Sequence, residues 1–67
     1  MTIGERIAEN MELCCMTRKE LCEETGLSKQ LLSAYITGKC EPRAAHLISL
    51  ADALGISLDY LIRGEEY

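Results

Sequence analysis

The stretch Thr17–Pro42, TRKELCEETGLSKQLLSAYITGKCEP, decides the fold. Thr17 is placed to cap a helix. Glu20, three residues on, completes a capping box, in which hydroxyl and carboxylate each accept from a free backbone amide. Leu21 and Cys22 supply that helix with an apolar face. Gly26 ends it, because glycine enters the left-handed region without a Cβ penalty. Only Leu27 separates Gly26 from Ser28, the next N-cap. Leu32, Tyr35 and Ile36 then recur at i, i+3, i+4 spacing and mark a second helix. Gly38 stops it, and Pro42 prevents a simple continuation. Two short helices joined by a tight turn form the helix-turn-helix pattern.

Outward from this stretch the same signals repeat. Thr2 is a candidate cap for a helix from Thr2 or Ile3 to Leu13, with Ile3, Ile7 and Met11 in one stripe and Leu13 or Cys14 near its end. Glu5, Arg6, Glu9, Asn10 and Glu12 are expected to face water. The two central helices are expected over about residues 18–25 and 29–36. A polar link from Thr37 to Pro42 leads to a fourth helix starting near Arg43 or Ala44. Its wide apolar face comprises Leu47, Ile48, Leu50, Ala51 and Leu54, and Gly55 ends it. Ser57 caps a fifth helix that ends at Gly64, with Leu58, Leu61 and Ile62 expected inward. Val, Phe and Trp are absent and no segment alternates β-branched with polar residues, so an all-α domain with an aliphatic core is expected. A chain of 67 residues makes one small domain, which buries only about 60% of its unfolded surface. No run of 18 apolar residues predicts a transmembrane helix, and no signal-peptide pattern opens the chain, so a cytoplasmic location is expected.

The formal net charge of −4 speaks against a nucleic-acid partner, for which a basic surface is the easier case. Its distribution speaks the other way. Residues 17–43 carry five basic and four acidic side chains, while the segments on both sides are net acidic. The helix-turn-helix is thus the part of the chain best suited to phosphate contact, and non-specific binding is expected to be weak.

The segment resembles the helix-turn-helix of the Cro/repressor and XRE family of DNA-binding regulators. The resemblance rests on Leu21, the small Cys22, Gly26, Ser28, Leu32, Ser33, Gly38 and Pro42. Leu47 to Gly64 resembles that family's last two helices, and Ile3 to Ile7 its first, so the likeness covers nearly the whole chain. It implies a five-helix, lambda-repressor-like domain over residues 1–67, with the helix-turn-helix at about 17–37 and a recognition helix at about 29–36 in the major groove. By position, Ser28, Lys29, Gln30, Ser33 and Ala34 face that groove. Lys29 suits guanine O6 or N7, and Gln30 suits adenine N6 and N7. Arg18 stands where the family usually carries a Gln that binds phosphate and braces the recognition helix; Arg keeps the phosphate role and alters the bracing. The first amides of the same helix are expected to add an anion site, and Thr37, Lys39 and Arg43 to hold further phosphates. Lys19 is the weakest contact, with Glu23 at i+4 as its alternative partner. Two positions depart from the family: Ile36, where an acidic residue is common, and Leu31, where small or polar residues are common. Leu31 is left between a thymine methyl contact, a partner contact and plain exposure.

Four cysteines are many for this length, but Cys14, Cys15, Cys22 and Cys40 contain no C-x₂-C pair, and no metal or cofactor is expected. Cys22 reads as a small core residue, one of Cys14 and Cys15 as packed at the end of the first helix, and Cys40 as the thiol with the most reactive surroundings, beside Lys39 and Arg43. His46 reads as a satisfied helix residue, and nothing in the motif content points to an enzyme. The expected function is a small transcriptional regulator, most simply a repressor, that binds a double-stranded DNA operator as a homodimer, with Tyr60, Ile62 and Tyr67 as a dimer surface that forms stably only on DNA. The alternatives are an interaction module of the same fold without DNA binding, and an antitoxin or redox-responsive regulator.

Overall fold

The computed structural model describes residues 1–64, which form five helices: α1 (Ile3–Leu13), α2 (Arg18–Thr25), α3 (Lys29–Thr37), α4 (Ala44–Leu54) and α5 (Leu58–Arg63). Among the described residues there is no strand. Hydroxyl caps start four of the helices. Thr2, Thr17, Ser28 and Ser57 each accept from the amide three residues on, whereas α4 starts at Arg43 without a side-chain cap. Thr2–Glu5 and Thr17–Glu20 are complete capping boxes. The Glu5 and Glu20 carboxyls are held below their ordinary range, first by the cap residue's backbone N–H. Gly26 and Gly38 close α2 and α3 at φ of 77° and 81°, the left-handed region expected of them.

Each helix contributes one side chain with no exposed surface to a single core: Ile7, Leu21, Leu32, Leu50 and Leu61. Met11, Leu27, Tyr35, Ala51 and Leu54 complete it. In this arrangement α3 packs on α1 and α2, and α4 lies against α2, α1 and α5. The outer face of α3 is left open.

Several expectations need correction. Arg6 and Asn10 are buried rather than water-facing. The Arg6 guanidinium donates to the carbonyls of Leu61 and Ile62 at 2.8 Å each, and to that of Met1 at 3.1 Å. It thereby satisfies acceptors that a helix C-terminus leaves free and places a cation at the negative end of α5. Asn10 turns back to donate to the Arg6 carbonyl. On α4 and α5, Ile48, Leu58 and Ile62 point outward, because the core accepts only one face of each helix and Leu50, Leu54 and Leu61 already fill it. Leu31 and Ile36 are half-buried and packed against the core, which gives both family departures an apolar role. Cys22 also packs there, as expected, but Cys14 and Cys15 are both exposed; Cys14 donates its thiol to the Leu54 carbonyl, and Cys15 leaves the helix at φ 53°. Tyr67 lies outside the described residues.

Candidate nucleic-acid interface

The open side of α3 carries a concavity of about 450 Å³ lined by Lys29, Gln30, Ser33, Ala34, Thr37 and Lys39. The helical period explains the grouping. Lys29, Ser33 and Thr37 follow at intervals of four, with Gln30 and Ala34 beside them. Leu32 and Tyr35 occupy the opposite, buried face. Lys29 and the Gln30 amide are therefore held on the helix and Lys39 on the turn that closes it, with no apolar side chain larger than alanine in the lining.

The other expected contact residues are placed around this surface. Arg18, at the start of α2, donates from Nη1 to Ser33 Oγ at 2.8 Å and so ties the two helices of the motif together. The bracing at that position is thus altered, as expected: it is made by an arginine to a serine. Ser28 lies at the N-terminal edge, where its hydroxyl accepts from the Leu31 amide as the cap of α3. Lys39 follows the Gly38 turn, and its own amide closes that turn on the Ala34 carbonyl. Arg43 is exposed at the start of α4 and does not line the concavity. The Thr37 hydroxyl donates to the Ser33 carbonyl at 2.9 Å, so its proton is committed within the helix and its free capacity is that of an acceptor. The start of α2 is also less open to an anion than expected, because the Glu20 carboxylate already accepts from the Thr17 amide. A phosphate near α2 must rely on the Arg18 side chain instead.

Three residues in the framework around α3 were not given these roles from the sequence. Gly4 lies on α1 where it crosses α3, and a Cβ there would overlap the carbonyl oxygens of Tyr35 and Ile36. A lone glycine inside an otherwise helical pattern was the available signal. Tyr35 reaches under α3 to His46, with a 2.6 Å hydrogen bond between the phenol and Nδ1 that joins α3 to α4. Arg6 secures α5 at a distance. Cys40 is exposed in a separate small crevice beside Gly4 and Pro42, outside the concavity.

The family model described as helix-turn-helix matches residues 7–61. The sequence is 34% identical over 61 residues to the cryptic phage CTXphi transcriptional repressor RstR of Vibrio cholerae, covering 91% of this chain and 54% of that protein. It is 32% identical over 62 residues to the uncharacterized HTH-type transcriptional regulator YqaE of Bacillus subtilis, covering 87% of this chain and 53% of that protein. The chain thus spans about half the length of the curated relatives it matches. Among solved structures, it superposes on the P22 c2 repressor in complex with a synthetic operator with a TM-score of 0.90 at 29% identity, covering 97% of this chain and 98% of that one. The solution structure of the P22 c2 repressor DNA-binding domain matches with a TM-score of 0.87 at 30% identity, covering 91% of this chain and 80% of that one.

Proposed function

The chain belongs to the helix-turn-helix family, and from that membership we propose that it binds duplex DNA sequence-specifically as a transcriptional repressor. The observation that carries the reading is the polar, cation-bearing concavity on the open face of α3, lined by Lys29, Gln30, Ser33, Ala34, Thr37 and Lys39. Placed in a major groove, the first turn of α3 brings Lys29 and Gln30 to base edges. Arg18, Lys39 and Arg43 then flank the groove as phosphate donors and Ser28 faces it from the N-terminal edge, whereas Thr37 must first release its bond to the Ser33 carbonyl to donate to a phosphate. The whole of residues 1–67 acts as one binding domain in the cytoplasm, with no catalytic step. Two copies on half-sites about 34 Å apart give the contact area that one short helix lacks. Of the expected pairing surface, Ile62 is exposed and Tyr60 half-buried, and Leu58 is exposed four residues before Ile62, so Leu58 and Ile62 are the surface for that pairing.

The competing reading, an interaction module without DNA binding, draws support from the net charge of −4. It loses the support of Leu31, which packs against the core. A salt titration separates the two. The regulator binds duplex DNA with an affinity that falls steeply with salt, and Lys29→Ala and Gln30→Ala change which sequence it prefers. Absence of duplex binding below about 100 mM salt, at protein concentrations above the usual non-specific range of roughly 10⁻⁴–10⁻⁶ M, refutes it.

A further inference from the structure

Ser33 differs from the other hydroxyl residues inside the helices. Thr25, Thr37 and Ser49 donate to the carbonyl four residues back, the usual way a helical hydroxyl disposes of its proton. Ser33 makes no such bond among the described residues. Its oxygen instead accepts from the Arg18 guanidinium at 2.8 Å, and the residue lines the concavity of α3.

A serine oxygen has two lone pairs and one proton. Arg18 takes one lone pair, and its positive charge polarises the hydroxyl so that the proton turns away from the guanidinium. What Ser33 offers outward is then a donor, with its capacity as an acceptor weakened. We infer that Arg18 makes Ser33 a one-way reader in the major groove, a donor that selects a base presenting an acceptor and discriminates against cytosine. The inference rests on the DNA-binding reading above and adds to it the chemical class of base that Ser33 takes. Guanine offers N7 and O6, adenine N7 and thymine O4, whereas cytosine offers only the N4 amino donors. Facing cytosine, Ser33 meets a donor with a donor. Arg18 is the positioning residue, and the rest of its planar fork serves a phosphate at the same time.

Selection of duplex sequences from a random pool, followed by titration of the selected site and its single-base variants, tests this with the purified chain and its Ser33→Ala, Arg18→Met and double variants. At one position of each half-site the wild type disfavours cytosine by roughly 5- to 100-fold, the usual range for a mismatched base. Ser33→Ala brings cytosine close to parity at that position and leaves the others unchanged. Arg18→Met weakens discrimination at the same position, and also lowers the dependence of affinity on salt by about one phosphate contact. The double variant discriminates no less there than Ser33→Ala alone. A uniform loss of affinity in Ser33→Ala assigns the hydroxyl to a phosphate and overturns the inference, as does an unchanged base profile or an unchanged cytosine penalty in Arg18→Met. Those results leave DNA binding standing. A wild-type chain that selects no sequence overturns the DNA-binding reading, and this inference with it.

Discussion

Arg6 and Gly4, neither in contact with the concavity, hold the framework that presents it. Arg6 is 7% exposed and anchors both the Leu61 and Ile62 carbonyls, so a neutral side chain of similar length leaves one buried and one part-buried acceptor without that donor. Hydrogen bonds to charged groups contribute about 1.5–3 kcal/mol each and are not additive, so Arg6→Met is expected to cost on the order of 3 kcal/mol. Urea denaturation measures this directly, and a loss below about 1 kcal/mol contradicts the role given to the guanidinium. Gly4→Ala acts through sterics. The new methyl overlaps two backbone carbonyls of α3, which cannot rotate aside, so α1 and α3 must separate. Overpacking of this kind costs about 1–3 kcal/mol or more. Because the displaced element is α3, Gly4→Ala should also weaken duplex binding under conditions where circular dichroism still reports a folded chain. Wild-type affinity in that variant rules out the close approach.

At the level of single helices, the two capping boxes couple stability to acid. The folded-state values of Glu5 and Glu20 are lowered, chiefly by the Thr2 and Thr17 amides. Their contribution is therefore complete above the ordinary carboxylate value of 4.5 and is lost as pH falls through the lower folded-state values. Glutamine keeps the box geometry without the charge. The Glu5→Gln, Glu20→Gln double variant should accordingly be less stable than the wild type near neutrality and converge on it as pH falls below the ordinary carboxylate value of 4.5. Parallel unfolding curves across that range would falsify the linkage. The Thr17–Glu20 box, and the glycines after α2 and α3, were legible in the sequence because their signals are local; at the first helix only the Thr2 cap was legible, and its partner Glu5 reads as solvated. The exposed first-turn position of Lys29 and Gln30 was legible for the same reason. The burial of Arg6 was not, since its partners lie 55 and 56 residues away, and a charged residue between Glu5 and Glu9 reads as solvated from its neighbours alone. Ile48, Leu58 and Ile62 were misplaced for a related reason. Apolar spacing gives a helix's candidate face, but how wide a face is buried depends on the neighbouring helices.

Across the whole molecule, charge and architecture oppose one another. The net charge of −4 repels DNA at long range, yet Lys29 on α3 and Lys39 just after it line the concavity, and no acidic residue does. Asp59 is exposed on α5, an element packed on α1 and α4, and Asp52 sits with Glu24 on a surface separate from the concavity. None of these carboxylates lines the concavity, but each adds to the negative field that a polyanion meets at low ionic strength. Asp52→Asn together with Asp59→Asn should therefore raise the association rate on the selected duplex on the order of twofold at low salt. The gain should shrink as salt approaches 0.15 M, where the Debye length is about 8 Å. Stopped-flow measurement at several salt concentrations separates this from a contact effect. Steering changes the association rate alone, leaving the dissociation rate and base preference as in the wild type. A changed dissociation rate would place these carboxylates within the bound interface.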